Sequence, residues 1–175
     1  RRVLAGRGSA ADEALVRDLY RREVVELDRT LARLWAAIPD ETRVVFCADH
    51  GELLGEDGLW GHPGEMRPEL LSVPFGTRNA PDLGDVVSLI DVPTILTGHE
   101  QGVGTLTLEA ACAAYGDREA AMNAHHLATD DGTFRLSGGD PATDPTLERR
   151  RERFDPAYVV TDDARQDDLE DLGYV

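Results

Sequence analysis

From Asp12 to Ile38 the apolar positions fall at Leu15, Leu19, Val24, Leu27, Leu31, Leu34 and Trp35, with charged residues between them. Spacings of three and four predict one amphipathic helix, since side chains so placed share a face. Ser9 or Asp12 caps its start, and Pro39-Asp40 ends it because the residue before proline is pushed out of helical backbone. The pattern then changes to an unbroken apolar run, Val44-Val45-Phe46-Cys47-Ala48, which predicts a buried strand over 43–48. Helix, short turn and buried strand form an αβ unit, so a mostly parallel sheet flanked by helices is expected.

Residues 51–69 hold five glycines and two prolines and predict an irregular loop. Leu70 to Gly76 reads as a second strand, and Asp85 to Leu96 as a helix interrupted at Pro93. Thr105–Tyr115 reads as a helix. Met122–Thr129, Thr133–Ser137 and Ala157–Val160 read as short antiparallel strands. Gly138 to Asp155 mixes Gly, Pro, Thr and charge and reads as an exposed connection, with Arg149–Arg151 as a solvated face. Asp162–Val175 reads as an acidic helix with Leu169 and Leu172 on one side and a stop at Gly173. The expected organisation is an α/β part over 1–98 and a small antiparallel β subdomain with a C-terminal helix over 99–175.

The 34 acidic residues against 18 basic ones leave a formal charge of −16, which argues against a nucleic-acid partner. All basic residues are arginine; lysine is absent. A GC-rich genome also favours arginine, but it does not explain the acidic excess. In molar salt the Debye length is about 3 Å, and self-repulsion that would loosen the fold is screened. The composition is that of a protein from a salt-loving organism, and circular dichroism is expected to show unfolding on dilution to low salt. Equal folding at both ionic strengths would refute this. Cys47 and Cys112 form no Cys-x-x-Cys pair and read as reduced, buried thiols. No apolar run is long enough to span a membrane. Arg1–Ala11 has no apolar leader, so a cytoplasmic location is expected, with the true N-terminus upstream.

The candidate chemistry lies where the first strand stops, at Asp49-His50-Gly51. Carboxylate oxygen beside imidazole nitrogen fits Mg, Mn, Ca or Zn according to the remaining ligands. Neighbouring residues on a strand point to opposite faces, so both reach one ion only at a strand end that Gly51 lets turn. Taken alone, the tripeptide also fits Asp49 capping a turn and His50 packing against its surroundings.

The wider stretch, Val44 to Glu52, then Leu59-Trp60-Gly61-His62, then Pro68 to Phe75, resembles the C-terminal half of the sulfatase family within the alkaline phosphatase superfamily. Val87–Leu96 and the terminal Leu169–Tyr174 are similar to later segments of that family. The resemblance implies an alkaline-phosphatase-like sheet, a metal-dependent ester hydrolase, and Asp49 and His50 as ligands of one divalent cation, calcium by family. It places His62 beside the sulfate or phosphate group, as a catalytic and substrate-binding residue. Arg67 lies where substrate would pass, in a Met66-Arg67-Pro68 stretch that departs from the family's pattern. Glu52 reads as an orienter of His50 or a solvated loop residue. His125 and His126 fall on alternate faces of a strand, and His99 in a turn.

The family's nucleophile belongs to a Cys-or-Ser-x-Pro-x-Arg motif, converted to formylglycine in sulfatases, and an earlier strand supplies further metal ligands. Neither is in this sequence. The expected partners are therefore a small sulfate or phosphate ester and the N-terminal half of the enzyme, without which the chain is inactive. A phosphodiesterase, phosphonate hydrolase or phosphotransferase of the same superfamily fits the same residues. A catalytically inactive acidic binding domain is the reading from another class.

Overall fold

The computed structural model describes Val3, residues 6–98 and residues 110–154. The expectations for His99, for residues 105–109, for the strand 157–160 and for the tail helix lie outside those residues. The chain divides into two compact units, Arg1–Leu83 with Leu89–His99, and Gly84–Ser88 with Glu100–Val175.

In the first unit, helix α1 runs Ala10–Ala37. Ser9 accepts from the Asp12 amide while the Asp12 carboxylate accepts from the Ser9 amide, so both candidate caps work together in a capping box. Strand β1, Val44–Cys47, follows as its β-branched run requires. Residues 48–74 then leave the C-terminal end of β1 and return to it. Within that excursion β2 (Leu53–Leu54) pairs with β3 (Trp60–Gly61), with a one-turn 3-10 helix at Glu56–Gly58 between them. Helix α2, Pro68–Leu71, comes next, and β4, Phe75–Arg78, closes the excursion.

Cys47 is paired with Phe75 and Val44 with Arg78, so β4 runs antiparallel to β1. A chain that comes back to the end it left must run the opposite way. The parallel sheet expected from the αβ pattern is not seen, and every strand pairing among the described residues is antiparallel. The strand expected over 70–76 begins instead as α2, because Pro68 in the first turn is already set to helical φ. The helix expected over 85–96 is shorter. A 3-10 turn at Leu89–Asp91 leads into α3, Val92–Thr97, and Pro93 stands in its first turn, where no amide is needed. Pro93 therefore starts the helix rather than kinking it. Arg43 ties α3 to β1, donating to the Ile95 and Leu96 carbonyls at 3.1 Å each.

The second unit is a four-stranded antiparallel meander: β5 (Ala111–Tyr115), β6 (Arg118–Met122), β7 (His126–Thr129) and β8 (Gly132–Arg135). Ala111–Tyr115 is thus a strand rather than the end of a helix. Its alanines are helix formers, but Gly116 at φ +59° makes a hairpin turn, and full pairing with β6 overrides propensity. The expected strand 122–129 is broken at Asn123, whose side-chain oxygen accepts from the His125 and His126 amides.

The stretch expected to be an exposed connection contains helix α4, Pro145–Glu152. Leu147 is buried and packs with Ala110, Ala121 and Ala128, with half-buried Cys112 beside them. Arg150 and Arg151 are correspondingly not simply solvated. Arg151 pairs with Asp130 at 2.5 Å, and Arg150 lies against Cys112, whose thiol is pushed up by burial despite that nearby charge.

Asp144 starts α4 by accepting from the Leu147 amide at 3.1 Å, and its other oxygen accepts from Asn123 at 3.0 Å and faces His126 at 3.2 Å. The backbone bond first, then Asn123 and His126, hold its carboxyl below the ordinary carboxylate range against an opposing burial penalty. A depressed folded value means stabilisation present above the unfolded carboxyl range and lost as pH falls through the folded value. The stability gap between wild type and Asp144→Ala should be about 0.5–2 kcal/mol at pH 7. It should narrow on acidification below about pH 4. A gap independent of pH in urea titrations would remove the charge from this account.

Candidate functional site

Asp49 and His50 stand immediately beyond the C-terminal end of β1, on the excursion that closes at β4. Asp49 is exposed, and one carboxylate oxygen accepts from the His50 amide at 3.0 Å, which fixes the pair locally. His50 Nδ1 lies 2.8 Å from the Gly51 carbonyl oxygen. That oxygen only accepts, so Nδ1 is the donor, and in the neutral ring Nε2 keeps its lone pair. Nε2 in turn faces the second Asp49 oxygen at 3.8 Å. One free nitrogen and one free oxygen therefore converge.

Two ligands each about 2.0–2.6 Å from a divalent ion can sit up to roughly twice that apart, so the pair fits as part of a cation site. An imidazole anchored through one nitrogen to a backbone carbonyl, with the other nitrogen free, is the usual arrangement of histidine in metal sites. Among the described residues no group of three or more His, Cys, Asp or Glu side chains is arranged to hold a metal ion. Asp49 and His50 by themselves offer two donor atoms.

Gly51 follows with a role unlike the one its sequence suggests. Its φ is not among the positive values, so no left-handed turn is involved. Instead its amide donates to the Leu70 carbonyl at 2.8 Å, and a Cβ there would lie 1.8 Å from the Glu69 carbonyl oxygen. The glycine lets the loop that follows β1 touch the backbone of α2.

The β2–β3 hairpin brings His62 back to this point. The His50 and His62 rings lie 4.7 Å apart between centroids, tilted at 44°. The two segments singled out in the sequence thus meet in space. Leu53 at the root of the hairpin is fully buried, which anchors it, while Gly61 at φ +78° supplies the left-handed backbone just before His62. His62 is 58% exposed and open to a ligand. Its Nδ1 faces Glu52 at 3.8 Å. Glu52 therefore sits by His62, where the sequence suggested His50, because pairing of Leu53 with Gly61 sets the neighbours 52 and 62 across the hairpin mouth.

Arg67 stands just before α2 without capping it through its side chain, and its guanidinium is engaged by two carboxylates. It donates to Asp57 at 2.5 Å and lies 3.5 Å from Glu69. The bond to Asp57 and the charge of Glu69 raise its pKa further against the opposing effect of burial, so it is firmly charged. An incoming anion would compete with both acids. His125 is exposed, and His126 is half-buried against Asp144. Both belong to the second unit. No helix of the described residues is long and apolar enough to cross a membrane.

No protein-family model and no solved structure matches the chain. It is 40% identical over 80 residues to a Haloferax volcanii protein described as the low-salt glycan biosynthesis sulfotransferase Agl7. The match covers 37% of this chain and 20% of that relative, so the chain spans about a fifth of the length of the protein it matches. This chain is similar, over that stretch, to a sulfotransferase-named protein of a halophilic archaeon.

Proposed function

We propose that this chain carries the Asp49–His50 half of a divalent-metal site, calcium by the family resemblance, in a sulfatase-like enzyme that breaks sulfuric esters. The observation that supports it most is the meeting of His62 with His50 at 4.7 Å, which puts an exposed imidazole beside the two free ligand atoms. When bound, the cation would stabilise charge on the ester's non-bridging and leaving oxygens. Asp49 and His50 would hold it. His62 would meet the same ester from the hairpin side, donating to an oxygen as the S–O bond lengthens. The bond that breaks joins sulfur to the alcohol oxygen, which departs with a proton. The sulfuryl group passes to a nucleophile supplied by another polypeptide segment. Arg67, held by Asp57 and Glu69, would contribute to substrate binding through its fixed positive charge.

Incomplete packing of the first unit supports a missing partner segment. Helix α1 has no buried residue, and Leu15, Leu19, Leu27 and Leu34 are each half exposed or more. Contiguous apolar surface of this kind marks an interface. Strand β1 is only half-buried although its sequence is that of a strand covered on both faces. A covering N-terminal half, with an alkaline-phosphatase-like sheet extended on β1, accounts for both.

The relative's name favours sulfur over phosphorus and adds a second reading, transfer of the sulfuryl group to a sugar hydroxyl instead of water. The chemistry at sulfur is the same and only the final acceptor differs. Phosphoryl chemistry in the same arrangement remains the alternative that an assay decides. The chain, expressed in molar salt with the reading frame that precedes it, should turn over aryl sulfate faster than aryl phosphate. Asp49→Ala should lower the rate by at least about 100-fold. Inactivity toward both esters, or activity indifferent to Asp49→Ala, would defeat the proposal.

A further inference from the structure

Behind the hairpin, α1 meets both of its strands. Arg17, on α1, donates from Nε to the Leu54 carbonyl at 2.7 Å. The same guanidinium stacks over the Trp60 ring, 4.7 Å from its centroid. Leu54 and Trp60 are paired residues of β2 and β3, so one side chain grips both strands of the hairpin. Gly55 leaves room for it: a Cβ at that position would lie 2.2 Å from Arg17 Nη2 and 2.9 Å from the Trp60 ring. Glu13, one turn back on α1, lies 3.8 Å from the same Arg17 Nη2.

A two-residue pairing is marginal alone, since an isolated hairpin is barely stable in water. The β2–β3 ladder is that short, yet it determines where His62 stands. A planar guanidinium suits the task, because it donates in its plane and stacks through its face at once, which an ammonium does not. We propose that Arg17 is a positioning residue that clamps the β2–β3 hairpin to α1 and thereby holds His62 against His50. The consequence rests on the functional reading above, but the clamp is observable without metal or substrate.

The test is nuclear magnetic resonance of the full chain in molar salt, reading the cross-relaxation between the His50 and His62 ring protons. Cross-strand contacts between β1 and β4 serve as the internal reference for folding. Wild type should show the inter-ring signal. Arg17→Ala should lose it while keeping the β1–β4 contacts, and millimolar free guanidinium should restore it by refilling the cradle. If Arg17→Ala also loses the β1–β4 contacts, Arg17→Lys decides. Retained charge without the planar fork should keep the fold and still lose the inter-ring signal. A wild-type inter-ring signal in either folded variant overturns the clamp, as does loss in Arg17→Ala that guanidinium does not reverse. Failure of the functional reading would show instead as no response of the His50 signals of wild type to added divalent cation, with the inter-ring signal intact.

Discussion

Gly51→Ala should destabilise the first unit by about 3 kcal/mol or more, beyond the usual range of a single overpacked methyl. The added Cβ would stand 1.8 Å from the Glu69 carbonyl oxygen, 2.9 Å from its carbon and 3.1 Å from the Leu70 Cα. All three are backbone atoms, so no side chain can swing away. Relief requires that the loop after β1 or the whole of α2 move. The Gly51 amide bond to Leu70 resists the first, and Leu70 itself, buried in the thin core, resists the second. Asp49 and His50 immediately precede the glycine, so the shift would also misplace the candidate ligands. Against a typical total stability of about 5–15 kcal/mol, the loss is large. Gly58 is the control. It has φ +77° but open space around its Cβ direction, so Gly58→Ala should cost about 1 kcal/mol of backbone strain. Denaturant midpoints in molar salt give both values. Equal, small effects at the two glycines would show that the Gly51–α2 contact is not close in solution.

That contact illustrates what the sequence made legible and what it did not. Helix α1 could be read because Leu15 to Trp35 repeat at helical spacing and Ser9 with Asp12 supplies both halves of a capping box. Strand β1 could be read because Val44-Val45-Phe46 are β-branched or aromatic. Asp49, His50 and His62 could be picked out by residue type, and the folded chain brings His62 to His50. Gly51 was legible as necessary but for the wrong reason: a close approach to Glu69 leaves no trace in local sequence, since its cause is a residue far along the chain. The antiparallel return of β4 was hidden similarly. Hydrophobic runs report burial, not direction, and only the closure of residues 48–74 on one end of β1 fixes it.

Helix α4 escaped notice for a different reason. Its start signal, Asp144 followed by Pro145, is present, but Leu147 is the helix's one apolar residue and creates no periodicity. Arg17 could not be recognised at all, because in the sequence it is one more charged residue between the apolar positions of α1. Its distinction comes from Leu54 and Trp60, whose backbone and ring it meets. Glu52 shows the same dependence on pairing, facing His62 across the hairpin mouth.

Loss of divalent-ion binding on changing Asp49 or His50 is the other large effect expected, and it bears on the central claim. His50 Nδ1 is committed to the Gly51 carbonyl, which leaves Nε2 and one Asp49 oxygen as the free donors. Two protein ligands with water completing the shell should bind weakly, with Kd of about 10⁻⁴–10⁻³ M, the range of the weakest oxygen-rich sites. Removal of either donor leaves a single ligand, so affinity should fall by more than the roughly 10–100-fold typical of an outer-sphere change. His62→Ala, which takes away a neighbour and not a ligand, should leave binding near wild type. Molar potassium chloride screens the diffuse attraction of the −16 surface, so specific binding can be separated from counter-ion condensation. The deciding measurement is a manganese titration of the full chain in that salt, followed by electron paramagnetic resonance, for wild type, Asp49→Ala, His50→Ala and His62→Ala. One weak site in wild type and His62→Ala, lost in the other two, is the predicted result; equal manganese binding by wild type and Asp49→Ala, or none by wild type, would contradict it.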